Sequence, residues 1–214
     1  MLIDIPSITT MRGSFVDQFG IEWKLNSHGF RAIEFNQIDF ANPRALAMGC
    51  SHTKGSGVDQ FNTWPEVLKR KINLPEIVNL GQWGASSDYI IRILPRCLEY
   101  FKPLIVFVFW PDWVRFEIFE NNKYHQITPW DKDRILYMET YSNEVLKEKY
   151  NANLKVAQEL CVQHGAKLIG ISWDDLIPVL DHADKWNRGA DGKHFDHIWQ
   201  CGVAETFKQI YDSK

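Results

Sequence analysis

The side chains best suited to chemistry stand in two short stretches near opposite ends of the chain. The first is the glycine-rich run Gly49-Cys50-Ser51-His52-Thr53-Lys54-Gly55-Ser56-Gly57-Val58. It follows a short apolar run and precedes a helical pattern, so a serine there can project its hydroxyl outward while nearby backbone N–H groups point at the same spot. The second is Asp191-Gly192-Lys193-His194, followed by Phe195-Asp196-His197. An Asp three residues before a His, in a loop leading into a helix, can orient the imidazole with its carboxylate. A serine nucleophile needs that arrangement, because a free hydroxyl is barely ionised at pH 7 and must lose its proton to a positioned base.

Each stretch also has a plainer reading. The first has the composition of a tight strand-to-helix turn, and it is not a phosphate loop: Lys54 precedes Gly55, so the spacing G-x-x-x-x-G-K-[ST] is not met. The second reads as a polar loop with Asp196 capping the next helix. Asp191, His194 and His197 are metal-ligand types, but closed sites ordinarily need four ligands and no second cluster is evident, so no metal is expected. Cys50 ends a buried strand and is expected to face the core rather than act as nucleophile. His52 is read as a loop hydrogen-bonding residue rather than a second base.

The chain that must position these groups has 214 residues, enough for one domain with a full core. Its formal net charge of −3 excludes the broad basic surface of a general nucleic-acid binder. Apolar residues at 45% and charged residues at 24% match globular proteins, so disorder is excluded. The N-terminus lacks a basic segment followed by an apolar core, and the longest apolar run, PLIVFVFWP, is too short to cross a bilayer. The four cysteines form no C-x-x-C pair and read as reduced, mostly buried thiols of a cytoplasmic protein.

Along the chain, FGIEWKLNSHGFRAIEF reads as a β-hairpin turning at residues 26–29. Short apolar runs at 44–48, 76–80, 104–110 and 167–173 read as strands. Between them lie helical patterns: one with Thr63 as N-cap and Pro65 in its first turn, one capped by Ser86 or Ser87, and one or two pieces over 131–164. Asp174 reads as the cap of a short helix, residues 181–194 as a polar loop, and 198–211 as a final helix. Residues 111–130 are irregular, with a possible hairpin in RFEIFENNKYHQI. Strands alternating with helices argue for βαβ units and a parallel sheet covered on both faces. Ligands of such sheets bind outside the carboxyl ends of the strands, which puts the loops after Met48, Leu80, Trp110 and Trp173 on one rim.

On the segments NSHGFRAIEF, RALAMGCSHTKGSGVDQFNTWPEVLKRKI, EIVNLGQWGAS and ADGKHFDHIWQCGVAETF, met in that order, the chain resembles the SGNH (GDSL-type) hydrolases. The match covers roughly residues 20–100 and 185–207. The resemblance implies a three-layer α/β/α sandwich with a parallel flavodoxin-like sheet. It implies Ser51 as nucleophile, with Cys50 where the GDS triplet has Asp, and His194 and Asp191 as base and orienting carboxylate. It also implies Gly84 as the glycine whose N–H joins that of Ser51 in the oxyanion hole. The family's Asn, in a G-x-N-D segment after the third strand, is missing: the chain reads Phe109-Trp110-Pro111-Asp112. Trp110, Trp113 and Arg115 are the nearby side chains able to donate in its place, with Arg115 favoured for its charge.

The resulting expectations are an N-terminal hairpin extension over 1–40 and an SGNH-like domain over 41–214 with an insertion at about 111–130. The expected activity is serine ester hydrolysis, removing an acyl group such as acetyl from a carbohydrate or other small ester, with no cofactor. Trp83, Trp110 and Arg115 are expected to line the substrate site beside Gly84. The partner expected is a small-molecule or glycan ester, with neither nucleic acid nor a membrane span; the oligomeric state is left open. The alternatives are O-acyl transfer at the same site and a non-catalytic glycan-binding domain, the latter motivated by the missing Asn and the Trp-rich rim.

Overall fold

The computed structural model describes residues 5–6, 10–42, 44–138, 140–173, 175–176, 188–194 and 196–213, with the side chain of residue 133 excepted. Its centre is a four-stranded parallel sheet built from β3 (Arg44–Gly49), β4 (Glu76–Asn79), β5 (Ile105–Phe109) and β8 (Lys167–Ile171), in the spatial order β4-β3-β5-β8. From β3 the chain runs outward to β4, then crosses back to β5 on the other side. The loop after β3 therefore opens at the point where the winding reverses, the usual crevice of such sheets.

The two-residue period of β3 explains the layering. Ala45 and Ala47 face one side, against α2 (Trp64–Lys71) and α5 (His197–Asp212); Leu46 and Met48 face the other, towards α3 (Ser87–Phe101) and α4 (Asn143–Gln163). The small alanines leave room on their side for Trp64 and Phe207, whose rings stack 4.6 Å apart. Both rings are fully buried, and burial of an aromatic of this kind contributes roughly 1.5–3 kcal/mol. Cys50, Cys97 and Cys161 are buried free thiols, with Cys50 inside the apolar cluster as its position at the strand end predicts.

Two expectations need correction. The N-terminal hairpin pairs β1 (Gly13–Val16) with β2 (Glu22–Leu25) and turns at 17–20, not at 26–29. Residues 26–29 form a second turn, closed by the Asn26 carboxamide, which accepts from the N–H groups of His28 and Phe30; no strand follows it. The capping of α2 also differs. Thr63 precedes it, but its hydroxyl donates to the Gln60 carbonyl, and the Trp64 N–H finds Gln200 Oε1 instead. Of the two readings of 131–164, the structure has the two-piece one: a 3₁₀ segment, Lys132–Tyr137, and α4, which Ser142 caps.

The stretch after β5 holds the hairpin that RFEIFENNKYHQI suggested. It pairs β6 (Phe116–Glu120) antiparallel with β7 (Lys123–Ile127), with positive φ at Asn121 and Asn122, as a tight primed turn requires. Arg92 of α3 grips both carboxylate oxygens of Glu117, and Asp88 accepts from the Glu117 N–H, so the hairpin is fastened over the sheet. Ser86 is the cap of α3, accepting from the Tyr89 N–H. The short helix expected from Asp174 falls largely outside the described residues, as does the first half of the 181–194 loop. Among the described residues no helix is long and apolar enough to cross a membrane.

Candidate active site

Ser51 opens α1 (Ser51–Lys54), a single turn that starts directly off the end of β3. The turn is possible because Gly49 has φ +152°, and any Cβ there would overlap Thr53 Oγ1 and the Phe109 carbonyl. Gly55 ends the turn in the left-handed region at φ +84°. Asn79 at the end of β4 donates to the Thr53 carbonyl at 2.8 Å and accepts from the Gly81 N–H at 3.0 Å. The loops after β3 and β4 are thereby tied together.

The base arrives from the far end of the chain. The carbonyl of Gly57 accepts from the Ala190 N–H at 2.9 Å, and Gly189 lies so close to Gly57 that a Cβ would run into its backbone. This contact seats the 188–194 loop against the nucleophile loop. Inside the loop, Asp191 Oδ1 accepts from the N–H groups of Lys193 and His194, both at 2.9 Å. Its Oδ2 lies 2.6 Å from His194 Nδ1, and His194 Nε2 lies 2.9 Å from Ser51 Oγ. With the imidazole neutral and its proton on Nδ1, the line runs as the chemistry requires: Asp191 accepts from Nδ1–H, and Nε2 accepts from the Ser51 hydroxyl. Burial works to raise the Asp191 carboxyl, but the hydrogen bonds from His194 and Lys193 outweigh it and hold the group below the usual carboxylate range.

Ser51 and His194 border a cleft of about 850 Å³, whose wall also includes Trp83, Gly84 and Arg115. Gly84 has φ +71°, a conformation that favours glycine. Trp83 is fixed by its indole N–H on Ser56 Oγ at 2.8 Å. Trp110 is placed elsewhere. It is 4% exposed, its indole lies against Gly170 and faces Tyr150 of α4, and it does not reach the cleft. Trp113 packs beside Phe116, Ile127 and Leu146. Only Arg115, of the three side chains weighed for the missing Asn, lines the cleft. Among the described residues no set of three or more His, Cys, Asp or Glu side chains converges as metal ligands would.

Arg31 and Lys54 position the site without having been singled out by sequence, and His52, read from sequence as a loop hydrogen-bonding residue, stands beside the base. Arg31 is buried; its guanidinium donates to the carbonyls of Gly55 and Val58 and to that of Glu22, and it stacks over Trp23 at 4.2 Å. It therefore pins the nucleophile loop to the N-terminal hairpin, and burial lowers its pKa from 12.5 to about 10. Lys54 donates to the Gly29 carbonyl at 2.9 Å from beneath the same loop. His52 lies edge-on to His194, with ring centroids 5.1 Å apart. Burial first, and then His194 and Arg115, push its pKa well below the ordinary value, so it stands neutral beside the base. No local motif announces these roles; each rests on a long-range contact.

No family model matches the chain, and no curated protein matches it. Solved structures do. The crystal structure of TesA aligns with a TM-score of 0.56 at 14% identity, covering 79% of this chain and 98% of that one. The chain has the SGNH hydrolase fold. Also similar are the psychrotrophic esterase EstA from Pseudoalteromonas sp., with a TM-score of 0.43 and 14% identity over 80% of this chain and 98% of that one, and a lipase/acylhydrolase from Enterococcus faecalis, with 0.42 and 20% over 80% and 96%. On the SGNH fold the Ser51 loop, the Gly84 loop and the 188–194 loop share one rim, as the lining of the cleft requires.

Proposed function

We propose that the protein is a serine ester hydrolase that works through an acyl-enzyme at Ser51. The observation that carries this reading is the unbroken hydrogen-bonded line from Ser51 Oγ through His194 to Asp191. Ser51 Oγ attacks the ester carbonyl while His194 Nε2 takes its proton. The tetrahedral oxyanion is held by the backbone N–H groups of Ser51 and Gly84. As the C–O bond to the alcohol breaks, His194 returns the proton to the leaving oxygen, and the acyl group stays on Ser51. Water then attacks the acyl-enzyme, His194 takes its proton and passes it to Ser51 Oγ, and the carboxylic acid departs. Asp191 keeps the Nδ1 proton in place throughout and balances the imidazolium formed in each half-reaction. The substrate is a small ester, with an acylated carbohydrate as one candidate that the tryptophan-walled cleft would suit.

A purely glycan-binding role would not need an imidazole aligned between a half-buried carboxylate and a hydroxyl. The test is labelling with a fluorophosphonate probe followed by peptide mapping. Modification at Ser51, abolished in His194→Ala, is the expected result; an unlabelled protein, or a label on Cys50, would overturn the assignment.

A further inference from the structure

The chain is acidic overall, yet the described wall of the cleft is not. Arg115, Arg188 and Lys193 line it, against a single lining carboxylate at Asp112. Arg115 stands apart from the other buried arginines. Arg31 donates to four backbone carbonyls of two different segments, and Arg44 donates to those of Phe40 and Asn42. Arg115 is 8% exposed; its Nε, like that of Arg31, is buried without an acceptor, but no backbone carbonyl among the described residues takes up the rest of its guanidinium. Its guanidinium faces the Trp130 ring at 5.3 Å, and Trp130 is itself 75% exposed. A rigid fork of N–H donors, permanently charged and sheltered from water on one side, matches the paired oxygens of a carboxylate or phosphate.

We propose that the substrate is an anionic ester, carrying a carboxylate or phosphate apart from the scissile bond, and that Arg115 holds that charge. The inference rests on the ester-hydrolase reading of Ser51. Trp83 and Trp130 line the same cleft and offer apolar surface to the carbons of such an ester. Arg188 and Lys193 add attraction at the rim, where Arg188 Nη1 donates to the Lys193 carbonyl at 3.1 Å. Arg115 is then a specificity-determining residue rather than a replacement for the missing oxyanion donor.

The experiment compares mono-p-nitrophenyl glutarate with p-nitrophenyl valerate, which match in acyl length and differ in charge. The expected kcat/KM favours the glutarate by about tenfold or more, the yield of one charge-assisted contact. That ratio should collapse towards one in Arg115→Gln and be partly kept in Arg115→Lys. A wild-type ratio at or below one overturns the proposal. So does a ratio that Arg115→Gln leaves unchanged while kcat falls for both esters, the signature of an oxyanion donor. Equilibrium binding to Ser51→Ala protein, read by tryptophan fluorescence with monomethyl glutarate and methyl valerate, separates this proposal from the catalytic reading. Preference for the anion by about tenfold keeps the charge site even if neither nitrophenyl ester is turned over; equal binding removes it. Competition by inorganic phosphate against acetate tells the two anion chemistries apart. Should Arg115→Gln fail to fold, the wild-type rate ratio and the Ser51→Ala binding difference decide alone.

Discussion

The backbone N–H of Trp64 donates to Gln200 Oε1 at 2.7 Å, joining the first residue of α2 to a side chain of α5. The same carboxamide donates through Nε2 to the carbonyl of His52, at 3.1 Å. One fully buried glutamine thus closes a helix N-terminus and braces the turn that carries Ser51. A helix start buried without a partner is unfavourable, and here the partner comes from the end of the chain.

Gln200→Leu removes both bonds and strands a buried N–H and a buried carbonyl. Each orphaned group costs roughly 1–3 kcal/mol. The expected outcome is a lower urea midpoint with an unchanged slope, together with weakened Ser51 labelling. Stability equal to wild type would show that the bridge contributes nothing.

His194→Ala should lower kcat on an activated ester by about 10³-fold or more, because nucleophile and base act as one unit. Asp191→Asn should cost less, since the backbone bonds within the 188–194 loop still hold the ring near Ser51. Steady-state rates across pH 6–9 check both. Near-native activity in His194→Ala would remove it as the base.

Gly189→Ala should separate the base from the nucleophile without touching either. The added Cβ meets the Gly57 backbone, so the loop that carries Asp191 and His194 must move away from Ser51. A displacement of about 1 Å in such a geometry can cost on the order of 10²-fold in rate. The fall should appear in kcat, with the folded circular-dichroism spectrum retained.

Lys54 gives a pH signature. Burial, reinforced by the positive charges of Arg31 and Arg12, lowers its pKa from 10.5 to about 7. Between those values the unfolded chain binds the proton more readily than the folded one, so stability rises with pH across that window and falls as pH drops towards 7. Wild type should therefore gain stability relative to Lys54→Met from pH 7 to pH 9, measured by urea unfolding. Parallel pH profiles for the two proteins would place the lysine in a different protonation balance.

Sequence alone determined the parts governed by local pattern. The runs at 44–48 and 104–110 contain the buried strands β3 and β5 because their apolar residues serve both faces of a covered parallel sheet. Ser86 and Asp196 cap helices because a short oxygen-bearing side chain at that position answers an otherwise unpaired N–H. The pairing of Asp191 with His194 was legible for the same reason: three residues of one loop fix it. Tertiary structure decided what depends on distant neighbours. The Asp17 turn, held by its carboxylate on the N–H groups of Phe19 and Ile21, and the Asn26 turn are locally alike; the second does not close a hairpin because it leads into Phe30 and the core. Trp110 left the rim because Gly170 on the neighbouring strand opens a space that its indole fills. Arg31 and Gln200 acquired their roles from carbonyls and amides far along the chain, and Ser51 met His194 only because Gly57 and Gly189 let two backbones touch. Spacing along a chain encodes turns and faces; it does not encode which distant surface will arrive to satisfy a buried polar group.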